Sequence, residues 1–147
     1  MRRLTLCLLA VMLAGPNLTP AFAQAPPPHA ALFGTWTGGI FPVPAGLTRE
    51  ACFSQPVVIF TKDLVMRATL VEQQLTQREI ETARAVPGGT EFRFASGVSG
   101  SRVLGGYSAL AGFGCESTDL LHVQRRGENE IAFPGCADFP NPLVRCR

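Results

Sequence analysis

The chain has 147 residues, 46% of them apolar and 16% charged, with fifteen Gly, twelve Pro, five Cys and a formal net charge of +2. That length suits one domain with a modest core. A charge so close to balance excludes strong electrostatic capture of nucleic acid or acidic lipid, both of which need a clustered excess of Lys and Arg.

Met1-Arg2-Arg3 is a short basic start, Leu4 to Leu13 is an apolar run, and Ala21-Phe22-Ala23 has the small-x-small pattern cut by a signal peptidase. Residues 1–23 are therefore expected to be a cleaved leader, with the mature chain beginning at Gln24. Arg2 and Arg3 leave with it, so eleven basic side chains remain against eleven acidic ones. Cys7 lies too near the amino terminus to follow an apolar segment of its own, which argues against a lipoprotein signal. The other cysteines, Cys52, Cys115, Cys136 and Cys146, are an even number in a small exported chain, as two disulfides in an oxidising compartment require. Of the three possible pairings the favoured one is Cys115–Cys136, which flank an expected hairpin, with Cys52–Cys146 tying the start of the domain to its end. No Cys-x-x-Cys or His-x-x-x-His spacing occurs, so no metal, haem or thiol-redox role is expected, nor any other cofactor.

In chain order, Pro26-Pro27-Pro28 makes residues 24–30 an extended, flexible tether, followed by a single β domain over 31–147. Ala31 to Phe41, with Leu32, Trp36 and Ile40 among glycines, reads as a first strand, and Phe41 to Gly46 as a turn. Val57-Val58-Ile59-Phe60-Thr61 is the clearest strand and should lie in the core. The segment 64–86 has two readings. As a helix capped by Asp63, it puts Leu64, Ala68, Val71 and Leu75 on one face, but the same period then places Arg78, Glu79 and Thr82 where apolar groups belong. Alternation instead sets Leu64, Met66, Ala68 and Leu70 on one side of a strand, with a second strand from about Thr76 to Val86. The second strand pairs through Pro87-Gly88-Gly89 with the alternating Glu91-Phe92-Arg93-Phe94. Residues 95–114 hold six glycines and show no period, so they read as a long loop. Leu120–Gln124 and Glu130–Phe133 form another hairpin around Arg125 to Asn129, and the Pro-rich tail from Pro134 to Arg147 reads as irregular. No segment after the leader is long and apolar enough to cross a membrane as a helix.

The fold expected is all-β: a small antiparallel up-and-down barrel or strongly curved sheet of about six to eight strands, stapled by disulfides. The alternative is α+β, with a helix in 64–86.

Chemistry is sparse. Gly97-Val98-Ser99-Gly100-Ser101 and Gly106-Tyr107-Ser108-Ala109-Leu110 both break the nucleophile-elbow pattern, and Gly105-Gly106 lacks the Lys and Ser/Thr of a phosphate loop. His29 in the tether and His122 in a strand are poorly placed as bases. The carboxylates mostly alternate with apolar residues, as a solvated face requires. No catalytic residue is assigned. Trp36, Tyr107, Phe113, His122, Arg125 and Arg126 are the candidates for contact with a ligand or partner.

Gly34-Thr35-Trp36, early in the first strand, resembles the Gly-x-Trp signature that opens lipocalins, avidins and the small bacterial metalloprotease inhibitors, the calycin group. Thr118-Asp119-Leu120 is similar to the Thr-Asp-Tyr of a later lipocalin strand junction. This resemblance implies an up-and-down barrel with Trp36 packed across its closed end. The chain departs from avidins, whose biotin sites use several tryptophans, in having one Trp. The expectation is a non-enzymatic, monomeric binding protein of the periplasm or exterior. It would hold a small apolar ligand in its mouth or a protein partner through its loops and arm, the inhibitor-like version using the arm from Gln24 to Ala31 to enter another protein's cleft. The alternative is a small exported enzyme built on carboxylates, with Glu116, Asp119 and His122 as its candidates. The intact mass of the exported form should correspond to a chain starting at Gln24 with no thiol open to alkylation before reduction; a mass retaining residues 1–23, or alkylated cysteines, would contradict both expectations.

Overall fold

Short β-branched and aromatic runs alternating with polar residues produce eight strands: β1 (Gly34–Gly38), β2 (Val57–Phe60), β3 (Leu64–Ala68), β4 (Thr76–Val86), β5 (Gly89–Phe94), β6 (Leu120–Arg125), β7 (Glu130–Ala132) and β8 (Leu143–Arg145). The computed structural model describes residues 25–43, 45–54, 56–69, 75–95 and 112–146. Each strand pairs antiparallel with the next, and β8 returns to β1, so the meander closes into a barrel. That closed eight-stranded barrel fits a calycin-like fold. The leader lies outside the described residues.

The up-and-down order sorts the connections between two ends. The turns 61–63, 87–88 and 126–129, with a 3-10 turn at Ala30–Leu32, gather at the closed end. The described parts of the longer connections, 39–43, 45–54, 112–119 and 133–142, gather at the other. Among these, α1 (Arg49–Ser54) is a single short helix, started by the Thr48 hydroxyl, which accepts from the Ala51 N–H at 3.2 Å. Disulfides join Cys52, in α1, to Cys146 and Cys115 to Cys136. The first bridge straps α1 onto the outside of β1, where Thr37 is fully buried and donates its hydroxyl to the Pro56 carbonyl. It closes a 94-residue loop, which in the chain-entropy account stabilises the fold by roughly 4 kcal/mol at most.

Several elements differ from the sequence reading. The first strand starts at Gly34 instead of Ala31, because residues 30–32 coil into the 3-10 turn. Residues 64–86 contain β3 and β4, so the helical alternative is excluded; residues 70–74 lie outside the described set. Within β3 the buried side chains are Val65 and Arg67, while Leu64, Met66 and Ala68 are half-buried. The inward face is thus the opposite of the one the apolar count suggested. The tail is not wholly irregular, since Leu143–Arg145 is the strand that closes the barrel. His29 is 3% exposed, packed edge-on against Phe33 and Phe92. The free arm can therefore extend no further than the residues preceding Pro27, whose carbonyl accepts from the Ala30 N–H.

The β4–β5 hairpin turns through Pro87 and Gly88, the latter at φ 77°, the pattern of a tight turn with Pro first and Gly second. Its neighbour Gly89 is constrained by close approach: a Cβ there would meet the Val123 carbonyl oxygen at 2.0 Å, backbone of the adjoining β6. Replacing Gly89 by Ala should cost at least about 2 kcal/mol by forcing the β5–β6 ladder apart. Gly127→Ala, with nothing within 4 Å, should change stability by less than about 0.5 kcal/mol. Urea titration of the two variants measures the difference.

Candidate functional site

The closed end is built around Trp36. Its ring is 1% exposed, and the indole N–H donates to the Leu32 carbonyl at 2.8 Å, which ties the 3-10 turn to β1. The Arg145 guanidinium lies over the ring, 4.3 Å from its centroid, and donates from Nη1 to the Phe33 carbonyl at 2.6 Å and from Nη2 to that of Ala31 at 2.5 Å. One arginine thus joins the last strand, the first strand and the turn that seals the barrel. His29 adds a second fastening: its Nε2 sits 3.2 Å from the Thr61 carbonyl and 3.0 Å from that of Lys62.

Beside this seal a groove of about 680 Å3 opens to solvent, with Pro28, Ala31 and Leu32 on one side, Ala85, Gly88 and Gly89 on the other, and Arg125 to Glu128 at its end. Arg125 and Arg126 are exposed, and neither has an ion pair among the described residues.

Along the barrel axis the side chains are aromatic. Phe60, Phe92, Phe94, Phe113, Phe133 and Phe139 are each no more than 3% exposed and form a continuous chain of ring contacts, with centroids 5.5–6.5 Å apart. At the end opposite the seal this stack meets two inward arginines. Arg67 contacts Asp138 at 3.2 Å, with its guanidinium 5.8 Å from the Phe113 ring. Arg78 donates to the Asp119 carboxylate at 2.7 Å and to the Thr118 carbonyl at 2.9 Å, and lies 4.9 Å from the Phe94 ring. Strand alternation dictates both placements: Arg67 follows Val65 and Arg78 follows Thr76 on the inward side. The positive edge of the polar network therefore rests on ring faces, which attract cations.

A third feature lies on the outer wall. His122, exposed on β6, stands opposite Glu91 of β5 and lines a groove of about 460 Å3 with Glu116, Ser117, Cys115 and Cys136. Glu91 is also bound by Arg84 at 2.7 Å. Among the described residues no three His, Cys, Asp or Glu side chains are grouped to hold a metal ion.

The six candidates from the sequence do not converge. Trp36 and Phe113 are spent on packing, Arg125 and Arg126 share the closed-end groove, His122 stands apart on the wall, and Tyr107 lies outside the described residues. Of the enzyme candidates, Asp119 is held by Arg78, whereas Glu116 and His122 line the lateral groove. Arg67, Arg78 and Arg145 were not singled out in the sequence, although alternation with Val65 and Thr76 marks the first two as inward once the strands are known. Comparison with protein-family models, with curated proteins and with solved structures returns no match for this chain.

The Arg78–Asp119 pair is asymmetric, with side chains 4% and 40% exposed. Asp119→Ala leaves a buried guanidinium without its counter-charge and should cost about 2–4 kcal/mol, whereas Arg78→Met leaves a carboxylate that rehydrates and should cost about half as much or less. Chemical denaturation of both variants tests the order; the reverse order would mean the guanidinium reaches water.

Proposed function

We propose that this is an exported, non-enzymatic, calycin-like binding protein that recognises a protein partner by its outer surface, in preference to a small apolar ligand in its barrel. The observation that carries the reading is the aromatic stack. In a barrel of eight strands the interior has room either for side chains or for one small ligand, and the six phenylalanines take that room along the axis. A ligand would have to separate rings in mutual contact, each of which buries a large apolar surface.

Three carboxylates that an acid–base site would draw upon, Glu91, Asp119 and Asp138, serve in ion pairs with Arg84, Arg78 and Arg67. This supports a binding role over catalysis. Two disulfides support an oxidising, exported location. The strand order, with Gly34-Thr35-Trp36 opening the meander and Trp36 buried at the sealed end, supports the calycin-like assignment.

Native mass spectrometry of protein taken from the exported fraction should show the bare polypeptide mass. Photo-cross-linking side chains placed singly at the exposed positions Gln77, Gln124 and Glu128 should give an adduct with a defined polypeptide at one or more of them. A lipid or other small apolar molecule retained one-to-one would overturn the reading.

A further inference from the structure

β4 is eleven residues long, yet β3 pairs only with Thr76–Glu79, and the last backbone bond on that side is Ile80 N–H to the Asp63 carbonyl. From Glu81 to Val86, about 20 Å of strand, the side of β4 that faced β3 has no neighbouring strand among the described residues. A register shift between Ile80 and Thr82 marks a bulge and decides which groups lie on that edge.

The assignment follows from alternation. The Ala95 N–H bonds the Glu79 carbonyl, whereas the Phe94 N–H bonds Asp119 on the β6 side. N–H and C=O of one residue share a side and alternate along a strand, so Arg93 and Glu91 also turn theirs towards β4, where their partners are Thr82 and Arg84. The backbone groups of Ala83 and Ala85 consequently point away from β5, towards the open edge. Two N–H and two C=O groups are thereby presented in the spacing an incoming strand requires.

The side chains at the edge are small. Ala83, half-buried against the core, and Ala85 carry only methyl groups, and Ala85 lines the closed-end groove, which has Pro28, Ala31 and Leu32 on its other side and continues to Arg125 and Arg126. Unpaired edges are ordinarily blunted by proline, by short length, by bulges or by free charge. This one has no proline; its bulge and its exposed Glu81 are confined to the end near Ile80, and its arginine, Arg84, is turned aside to Glu91 at 2.7 Å, which leaves Ala83 and Ala85 as the open positions.

We propose that the Glu81–Val86 edge accepts an extended, acidic segment of a protein partner as an added strand, with Arg125 and Arg126 engaging its carboxylates. Strand addition draws affinity from main-chain hydrogen bonds and specificity from the side chains beside the edge. Here the charged side chains at the groove's end are two arginines, without an ion pair among the described residues, against the single carboxylate of Glu128. The inference rests on the protein-binding reading above and names the chemistry of its partner.

The test is selection of a random dodecapeptide display library on the full mature protein. Enriched sequences should alternate β-branched or aromatic residues with others and carry Asp or Glu. A synthetic peptide of the most enriched sequence should slow amide exchange at Ala83 and Ala85, and should bind at least tenfold more weakly to Arg125→Glu/Arg126→Glu. Ala83→Pro removes one edge N–H without touching the β4–β5 ladder and should also weaken binding at least tenfold; Ala85→Pro is its substitute if the first variant fails to fold. No enrichment, enrichment of basic sequences, or binding that leaves the two amides unprotected and is indifferent to the proline overturns the proposal. So does sedimentation of the free protein as a dimer with those amides already protected, which would make a second copy the occupant. Any of these leaves the broader reading standing if cross-linking still yields a polypeptide adduct, whereas a retained lipid removes that reading itself.

Discussion

The Arg145 guanidinium is the joint on which the barrel's integrity turns. β8 and β1 pair over three residues, Trp36 with Arg145, Thr37 with Val144 and Gly38 with Leu143, and main-chain bonds from Cys146 to Thr35, from Gly39 to Pro142 and from Asn141 to Gly39 continue the seam on both sides. Arg145 extends it further by lying on the Trp36 ring and donating to the carbonyls of Ala31 and Phe33. Those carbonyls belong to the segment entering the barrel, which an extended strand pairing could not satisfy. Hydrogen bonds from a charged donor are worth about 1.5–3 kcal/mol each. The Cys52–Cys146 bridge, one residue further on, holds the same strand from outside.

Phenylalanine rings fill the interior by contacting one another across the barrel, with Val58, Val65, Leu121, Val123, Ile131 and Leu143 buried around them. Thr76, Thr90, Arg67 and Arg78 nonetheless face inward and are buried. The arginines are tolerated because each has a carboxylate at its head and an aromatic ring against its guanidinium, so the charge is compensated where it leaves water. Their carboxylate partners stay partly exposed, which lowers the desolvation cost relative to a fully buried pair.

The two ends consequently differ in kind. One is sealed by a short turn, a tryptophan and an arginine, and the strands β4, β5 and β6 carry on around it to form a groove. The other is filled by Phe94, Phe113 and Phe139 and rimmed by ion pairs. The proposed recognition by the outer wall and the sealed end accords with that distribution, because the groove and the edge of β4 that is unpaired among the described residues both lie there while the axis is occupied.

How much of this was legible beforehand depends on the range of the interaction concerned. Alternation over Val57–Thr61, Thr76–Val86 and Glu91–Phe94 marks strands because side-chain direction along a strand is a local property, and Pro87-Gly88 marks the turn between two of them. The Thr48 start of α1 is equally local, a hydroxyl three residues before the Ala51 N–H it accepts from. By contrast, Leu143–Arg145 is too short and too proline-flanked to be a strand by itself; it becomes one because β1 and β7 present unpaired edges. The burial of His29 depends on carbonyls 32 and 33 residues away, and the inward face of β3 is decided by Asp138 and the Phe113 ring, far along the chain, which receive Arg67. Composition and local alternation thus determined a disulfide-linked all-β chain, compatible with an oxidising compartment. Which residues face the axis, which cysteines meet and which stretch of β4 is left without a neighbour among the described residues were decided only when distant strands closed the ring, since those outcomes depend on partners no local window contains.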